Sequence, residues 1–174
     1  MILVTGPKDS ALLLQITDRY GLRDVRLVHK LEDLGDTSGE CLICFNTGII
    51  IPAEALEKAR GAYNFHAASP EFPGRDPHHW AVHRGAKLFG ATCHIMVPKV
   101  DDGPIVEVST FPITGLNPEE VAAKALDRAA QQFDALLPRL LNGDLSPMNV
   151  EWGPSKSTRK QSIAMRGQKG FEDF

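Results

Sequence analysis

Three residues far apart along the chain have the chemistry to act together on a carbonyl group. Asn64 and His66 stand two apart in "AYNFH", and Asp101 opens the turn "DDGP". An amide and a protonated imidazole can each donate a hydrogen bond to the oxyanion that develops in acyl-type transfer. A carboxylate can orient the imidazole or accept a proton from an attacking amine. The spacing has a physical reason. Alternate side chains of a strand share a face, so Asn64 and His66 point one way and Phe65 the other. No step of such chemistry calls for a metal. A capping asparagine, a surface histidine and a turn aspartate form the competing reading. His94, which alternates with Thr92 and Met96 in "ATCHIMV", is either a partner of this site or a satisfied core histidine. We carry it with the substrate-facing candidates because "DDGP" follows so closely.

Other clusters carry weaker signals. The loop "TGPKDS" joins the first expected strand to the first expected helix. A helix amino terminus attracts anions, which makes Gly6, Lys8 and Ser10 candidates for contact with a substrate. The loop matches neither G-x-G-x-x-G nor G-x-x-x-x-G-K-[ST], and a tight strand-to-helix turn explains it as well. Cys41 and Cys44 have C-x-x-C spacing. On a strand they face opposite ways, so core thiols are expected. His79 and His83 lie one helical turn apart beside His78, but the H-E-x-x-H glutamate is missing, and no metal site is assigned. Lys156, Arg159 and Lys160 suit either phosphate contact or a solvated tail.

The elements that must position these residues alternate. "MILVTG", "VRLVH", "ECLICF" and "AYNFH" read as strands. Between them fall a helix capped by Asp9 or Ser10 and stopped by Gly21, and a short one starting near Pro52. "PHHWAVHRG" reads as a helix ending at Gly85, and "ATCHIMV" and "IVEVSTF" as strands about the "DDGP" turn. The longest helix starts at Asn117 with Pro118 first and Glu120 closing a capping box, is kinked by Pro138 and ends at Asn142-Gly143. Alternating strands and helices imply a parallel α/β sheet, which binds ligands at the carboxyl ends of its strands. Residues 1–150 are expected to form one domain and 151–174 a loosely attached tail. With 174 residues, 43% hydrophobic, 24% charged and a net charge of −3, the chain is an ordinary globule. Nothing in it suggests a nucleic-acid or membrane binder. A cytoplasmic location is expected, since "MILVTG" lacks the basic region and long apolar core of a signal peptide. A homo-oligomer stays open.

The motifs, taken in order, resemble the folate-dependent formyltransferase family, which includes glycinamide ribonucleotide, methionyl-tRNA and sugar N-formyltransferases. The resemblance rests on Asn64 and His66, on Phe72-Pro73-Gly74, on Thr92 and His94, and on Asp101 with Gly103-Pro104. "FNTGIIIP" is similar to the loop after the family's third strand. The likeness runs over residues 41–113. It implies a Rossmann-like, mostly parallel sheet and 10-formyltetrahydrofolate as co-substrate. By resemblance, Asn64, His66 and Asp101 are catalytic. The pterin is expected against Thr47, Gly48, Ile49 and Ile50 and against the backbone from Pro98 through Val100 to Asp101. Only 39 residues precede "ECLICF", so one strand–helix unit of the family pattern is expected to be missing. The run from Pro73 to Met96 is most like the sugar-formylating branch, which implies a small amine acceptor. A formyltetrahydrofolate hydrolase and a non-catalytic folate- or partner-binding module are the alternatives.

Overall fold

The computed structural model describes residues 1–165. Six strands form one sheet in the order β2-β1-β3-β4-β5-β6. They are β1 (Ile2–Thr5), β2 (Arg26–Val28), β3 (Cys41–Phe45), β4 (Gly61–His66), β5 (Leu88–Ile95) and β6 (Ile105–Pro112). β1 pairs in parallel with β2 and β3, and β3 with β4. β5 runs antiparallel to both β4 and β6. The sheet is therefore mostly parallel, with an antiparallel hairpin added at one side. Between β2 and β3 the chain makes only a short 3-10 turn, Leu31–Asp33, instead of a helix.

Period-two alternation distributes the core. Leu3, Ile43, Phe45 and Phe65 face one layer with Leu13 and Ile16 of helix α1 (Pro7–Arg19) and Phe133 and Leu137 of helix α4 (Pro118–Asn142). Ile2, Val4, Leu42 and Cys44 face the other, near helix α2 (Ala53–Lys58). Phe133 meets Phe65 edge-on with ring centroids 5.3 Å apart, which anchors α4 behind β4. Cys41 and Cys44 fall in opposite layers, as strand alternation requires, and both are free thiols.

Several boundaries differ from expectation. α1 is capped by Gly6, with Pro7 at its first position and no side-chain cap bond. Asp9 and Ser10 are instead buried inside its first turn, because proline preorganises the first helical position and can start a helix without a polar cap. β5 begins at Leu88, ahead of the expected "ATCHIMV". α4 keeps its capping box, and Pro138 lies inside a helical span that runs on to Asn142. The segment expected to trail loosely is seated on the domain instead. Ser157 bridges to Gly74, and Ser162 of helix α5 (Arg159–Met165) is fully buried. The Gly153 and Ser157 amides donate to the Pro70 and Pro73 carbonyls, and Arg75 N–H donates back to the Ser157 carbonyl, which composition could not show. The rest of that expected tail, 166–174, lies outside the described residues. Among the described residues no helix is long and apolar enough to cross a membrane.

Candidate active site

β4 delivers Asn64 and His66 to the end of the parallel sheet, and Phe65, between them, is buried against α4. β5 lies antiparallel alongside, with His94 paired directly opposite Asn64. The hairpin then turns back, and Asp101 enters from its loop. Gly103 permits that turn: a Cβ there would lie 1.8 Å from the Ile95 carbonyl oxygen. Asp101 itself has φ 46°, in the left-handed region, as do Asn46 at 43° and Asp76 at 53°. All three line one cavity. Non-glycine residues held there persist only where the surroundings fix them, and such positions cluster at functional sites.

The polar groups form a connected set. His94 Nδ1 lies 2.9 Å from the Ile95 carbonyl oxygen, which can only accept, so Nδ1 carries the ring proton. His94 Nε2 must then accept, and Asn64 Nδ2 donates to it at 3.0 Å. This fixes the orientation of the Asn64 amide and leaves its second N–H for another acceptor. Asp101 is 4% exposed, and its carboxylate accepts the Gly74 N–H at 3.0 Å. Its Oδ1 lies 3.9 Å from His94 Nε2 and its Oδ2 lies 4.0 Å from His66 Nε2. His66 Nε2 is buried with no hydrogen-bond partner among the described residues.

Burial dominates the titration of both rings. Desolvation depresses the His94 pKa to about 4, against the raising effects of the Ile95 carbonyl and Asp101. Desolvation also lowers His66, and the neighbouring Asp101 charge opposes it. Both imidazoles are therefore neutral at neutral pH in the free protein. The sequence-based picture of a protonated His66 is corrected to a neutral ring whose Nε2 is unengaged.

The cluster opens on a cavity of about 770 Å³, within the range of small-molecule sites. Its wall includes Asn64, His66, His94 and Asp101, together with Thr47, Gly48, Ile49, Ile50, Pro98 and Val100. Lys8 also reaches it, whereas Gly6 and Ser10 do not line it, and the Ser10 hydroxyl donates to the Gly6 carbonyl. Arg75 and Asp76 line the wall as well and were not singled out from the sequence. Neither was Trp152, whose indole N–H donates to the Gly103 carbonyl at 2.8 Å and whose ring meets His94 edge-on. Only its tryptophan identity, within an otherwise polar segment, marked it. His78 and His83 belong to helix α3 (Pro77–His83). Among the described residues no group of three His, Cys, Asp or Glu side chains could hold a metal ion.

The mostly parallel α/β sheet, with its antiparallel hairpin, thus brings an amide, two imidazoles and a carboxylate to the wall of one cavity. The family model described as "Formyl transferase" matches residues 15–141, and the chain belongs to that family. The methionyl-tRNA formyltransferase of Streptococcus agalactiae is 30% identical over 144 residues, 77% of this chain and 45% of that relative. A formyltetrahydrofolate deformylase from Synechocystis is 48% identical over 42 residues, 24% of this chain and 15% of that relative. The chain spans about half the length of the methionyl-tRNA formyltransferases it matches. Among solved structures, an N-formyltransferase from Helicobacter canadensis, in complex with folinic acid and dTDP-3-aminofucose, superposes with a TM-score of 0.80. It does so at 15% identity, over 92% of this chain and 71% of that one, a likeness of fold.

Proposed function

We propose that the chain transfers the formyl group of 10-formyltetrahydrofolate to the amine of a small acceptor, an amino sugar or its nucleotide being the favoured class. One observation carries this reading. Two histidines and an asparagine from neighbouring strands meet a buried carboxylate at the wall of a cavity large enough for a folate and an amine together. Support for the donor comes from the apolar wall at Ile49, Ile50 and Val100, which suits a flat heteroaromatic ring. Support for the acceptor class comes from the solved relative with an aminated sugar nucleotide in its complex. The net charge of −3 disfavours a nucleic-acid acceptor.

The acceptor nitrogen attacks the formyl carbon, forming a C–N bond while the carbonyl electron pair moves onto oxygen. The second Asn64 N–H and the His66 ring, with its proton on Nε2, donate to that oxyanion. The intermediate collapses by expelling N10 of the folate. Asp101 takes the proton lost by the attacking amine and returns it to N10, so formamide and tetrahydrofolate leave in balance. The Asp101 carboxylate, within 4.0 Å of His66 Nε2 and 3.9 Å of His94 Nε2, stands beside the reacting groups, which is the position a proton shuttle requires.

The test incubates the full chain with 10-formyltetrahydrofolate, with and without a panel of nucleotide-linked amino sugars, simple amines and methionyl-tRNA, and follows release of tetrahydrofolate. Amine-dependent release with a sugar-linked amine is the expected result. Release that ignores the amine supports the second reading, hydrolysis, which the short segment of high identity to a deformylase favours. Tight folate binding with no release refutes both.

A further inference from the structure

We infer that Trp152 is a positioning residue: together with the backbone of residues 153–157 it forms a strap that holds the Asp101 carboxylate and the His94 ring in place. The inference rests on the formyl-transfer reading for the reaction that the strap serves.

The strap grips both loops that converge on Asp101. On one side, Gly153 N–H donates to the Pro70 carbonyl at 2.9 Å, and Ser157 N–H to the Pro73 carbonyl at 3.0 Å. Arg75 N–H donates back to the Ser157 carbonyl at 3.0 Å. Gly74 sits between the paired residues 73 and 75, and its own N–H is the donor that holds Asp101 Oδ2 at 3.0 Å. The pairing with the strap thus sets the direction of the amide that fixes the carboxylate. On the other side, the Trp152 indole N–H donates to the Gly103 carbonyl at 2.8 Å. Lys156 Nζ donates to the Val100 carbonyl and pairs with Asp102 at 3.0 Å. Residues 100, 102 and 103 are each tied to the strap, and Asp101 stands among them in a backbone conformation that needs such ties.

The ring itself walls off the histidines. Trp152 and His94 centroids lie 4.9 Å apart at 89°, and His66 lies 6.2 Å from the indole. This contact contributes to the desolvation that keeps His94 neutral and therefore an acceptor for Asn64. The groups facing His94 are Asn64, Asp101, His66 and Lys156, besides the Ile95 carbonyl. The seating is close: a Cβ on Gly74 would lie 2.5 Å from the Ser157 carbonyl oxygen, and one on Gly153 2.5 Å from that of Glu71. Backbone meets backbone at distances that side chains would forbid.

Two variants of the full chain test this, Trp152→Ala and Trp152→Phe. Misplacing a catalytic group by about 1 Å costs on the order of 10²-fold in rate. Trp152→Ala is therefore expected to lower kcat by roughly that factor, with KM for the formyl donor unchanged. Trp152→Phe keeps an aromatic ring over His94 without the N–H, so its loss is intermediate. A second readout runs on the free protein: NMR titration of the imidazole ring nitrogens. The His94 midpoint is expected to rise in Trp152→Ala, as water reaches the ring, and to move less in Trp152→Phe. An unchanged His94 titration in Trp152→Ala overturns the positioning role whatever the activity. A shifted titration in a protein that moves no formyl group to any amine leaves the strap standing and overturns the reaction assigned to it.

Discussion

His66 and His94 are basic side chains held where charge is expensive, and that has a consequence for stability as well as chemistry. An ordinary histidine titrates near 6.5, and burial brings His94 to about 4 and lowers His66 as well. Both bind protons more weakly in the folded chain than in the unfolded one. Stability is therefore fully present above about pH 6.5 and falls as the pH drops toward about 4. Thermal unfolding followed across that window is expected to show a falling midpoint, and His94→Gln to flatten part of the fall. A flat wild-type curve contradicts the neutral, buried assignment. For catalysis, His66→Ala and Asp101→Asn are each expected to lower turnover by about 10²–10³-fold, with an unchanged circular dichroism spectrum. Wild-type turnover in either variant refutes the roles given to them. At this scale the N-x-H spacing was legible because strand alternation is a local rule. The tautomer of His94 was not, since it depends on the ring rotamer that turns Nδ1 onto the Ile95 carbonyl and Nε2 toward Asn64 of the neighbouring strand. Trp152 lies still further from reach, because its partner at Gly103 is 49 residues away.

Elements were legible where a local rule was strong. β1 and β3 appear as short apolar runs, and β3, buried throughout, matches its uninterrupted "CLICF". The α4 capping box was written in the sequence and is present in both directions, with Glu120 N–H to Asn117 Oδ1 and Asn117 N–H to Glu120 Oε2 at 2.9 Å each. Asn117→Ala is expected to cost about 1 kcal/mol, read as a melting point lowered by about 2–4 °C, with turnover unaffected. No shift in melting shows that the cap adds nothing here. The start of α1 was misread because Asp9 and Ser10 are good caps in isolation, while Pro7 already fixes the helical φ one step earlier. β5 was started late because Leu88 and Phe89 precede Gly90, a residue that weakens a strand signal. There the glycine is needed: a Cβ would lie 2.1 Å from the Ser109 carbonyl oxygen of β6.

The cavity joins two parts of the molecule that are far apart in sequence. The Thr47–Ile50 stretch follows β3 in the parallel half, and Pro98–Asp101 caps the hairpin of the antiparallel half. The family pattern made both stretches visible, but only the fold shows that they face one space. A folate placed between them, as we propose, binds the folded state alone and is expected to raise the stability of the chain. At a ligand concentration 100-fold above Kd the gain is about 2.7 kcal/mol, or roughly 5–11 °C in melting point for a chain of this size. Folinic acid, which carries a formyl group but is no 10-formyl donor, isolates binding from turnover. Ile50 and Val100 allow a sharp control, since these residues are 65% and 50% exposed in the free protein. Replacing either by Ser changes the unliganded melting point little, because exposed positions move stability by only about 0.5 kcal/mol. Each is expected to shrink the folinic-acid shift, since the apolar surface that the ligand covers is lost. A full shift in the double variant Ile50→Ser, Val100→Ser places the folate elsewhere and removes the physical basis for calling this wall its site.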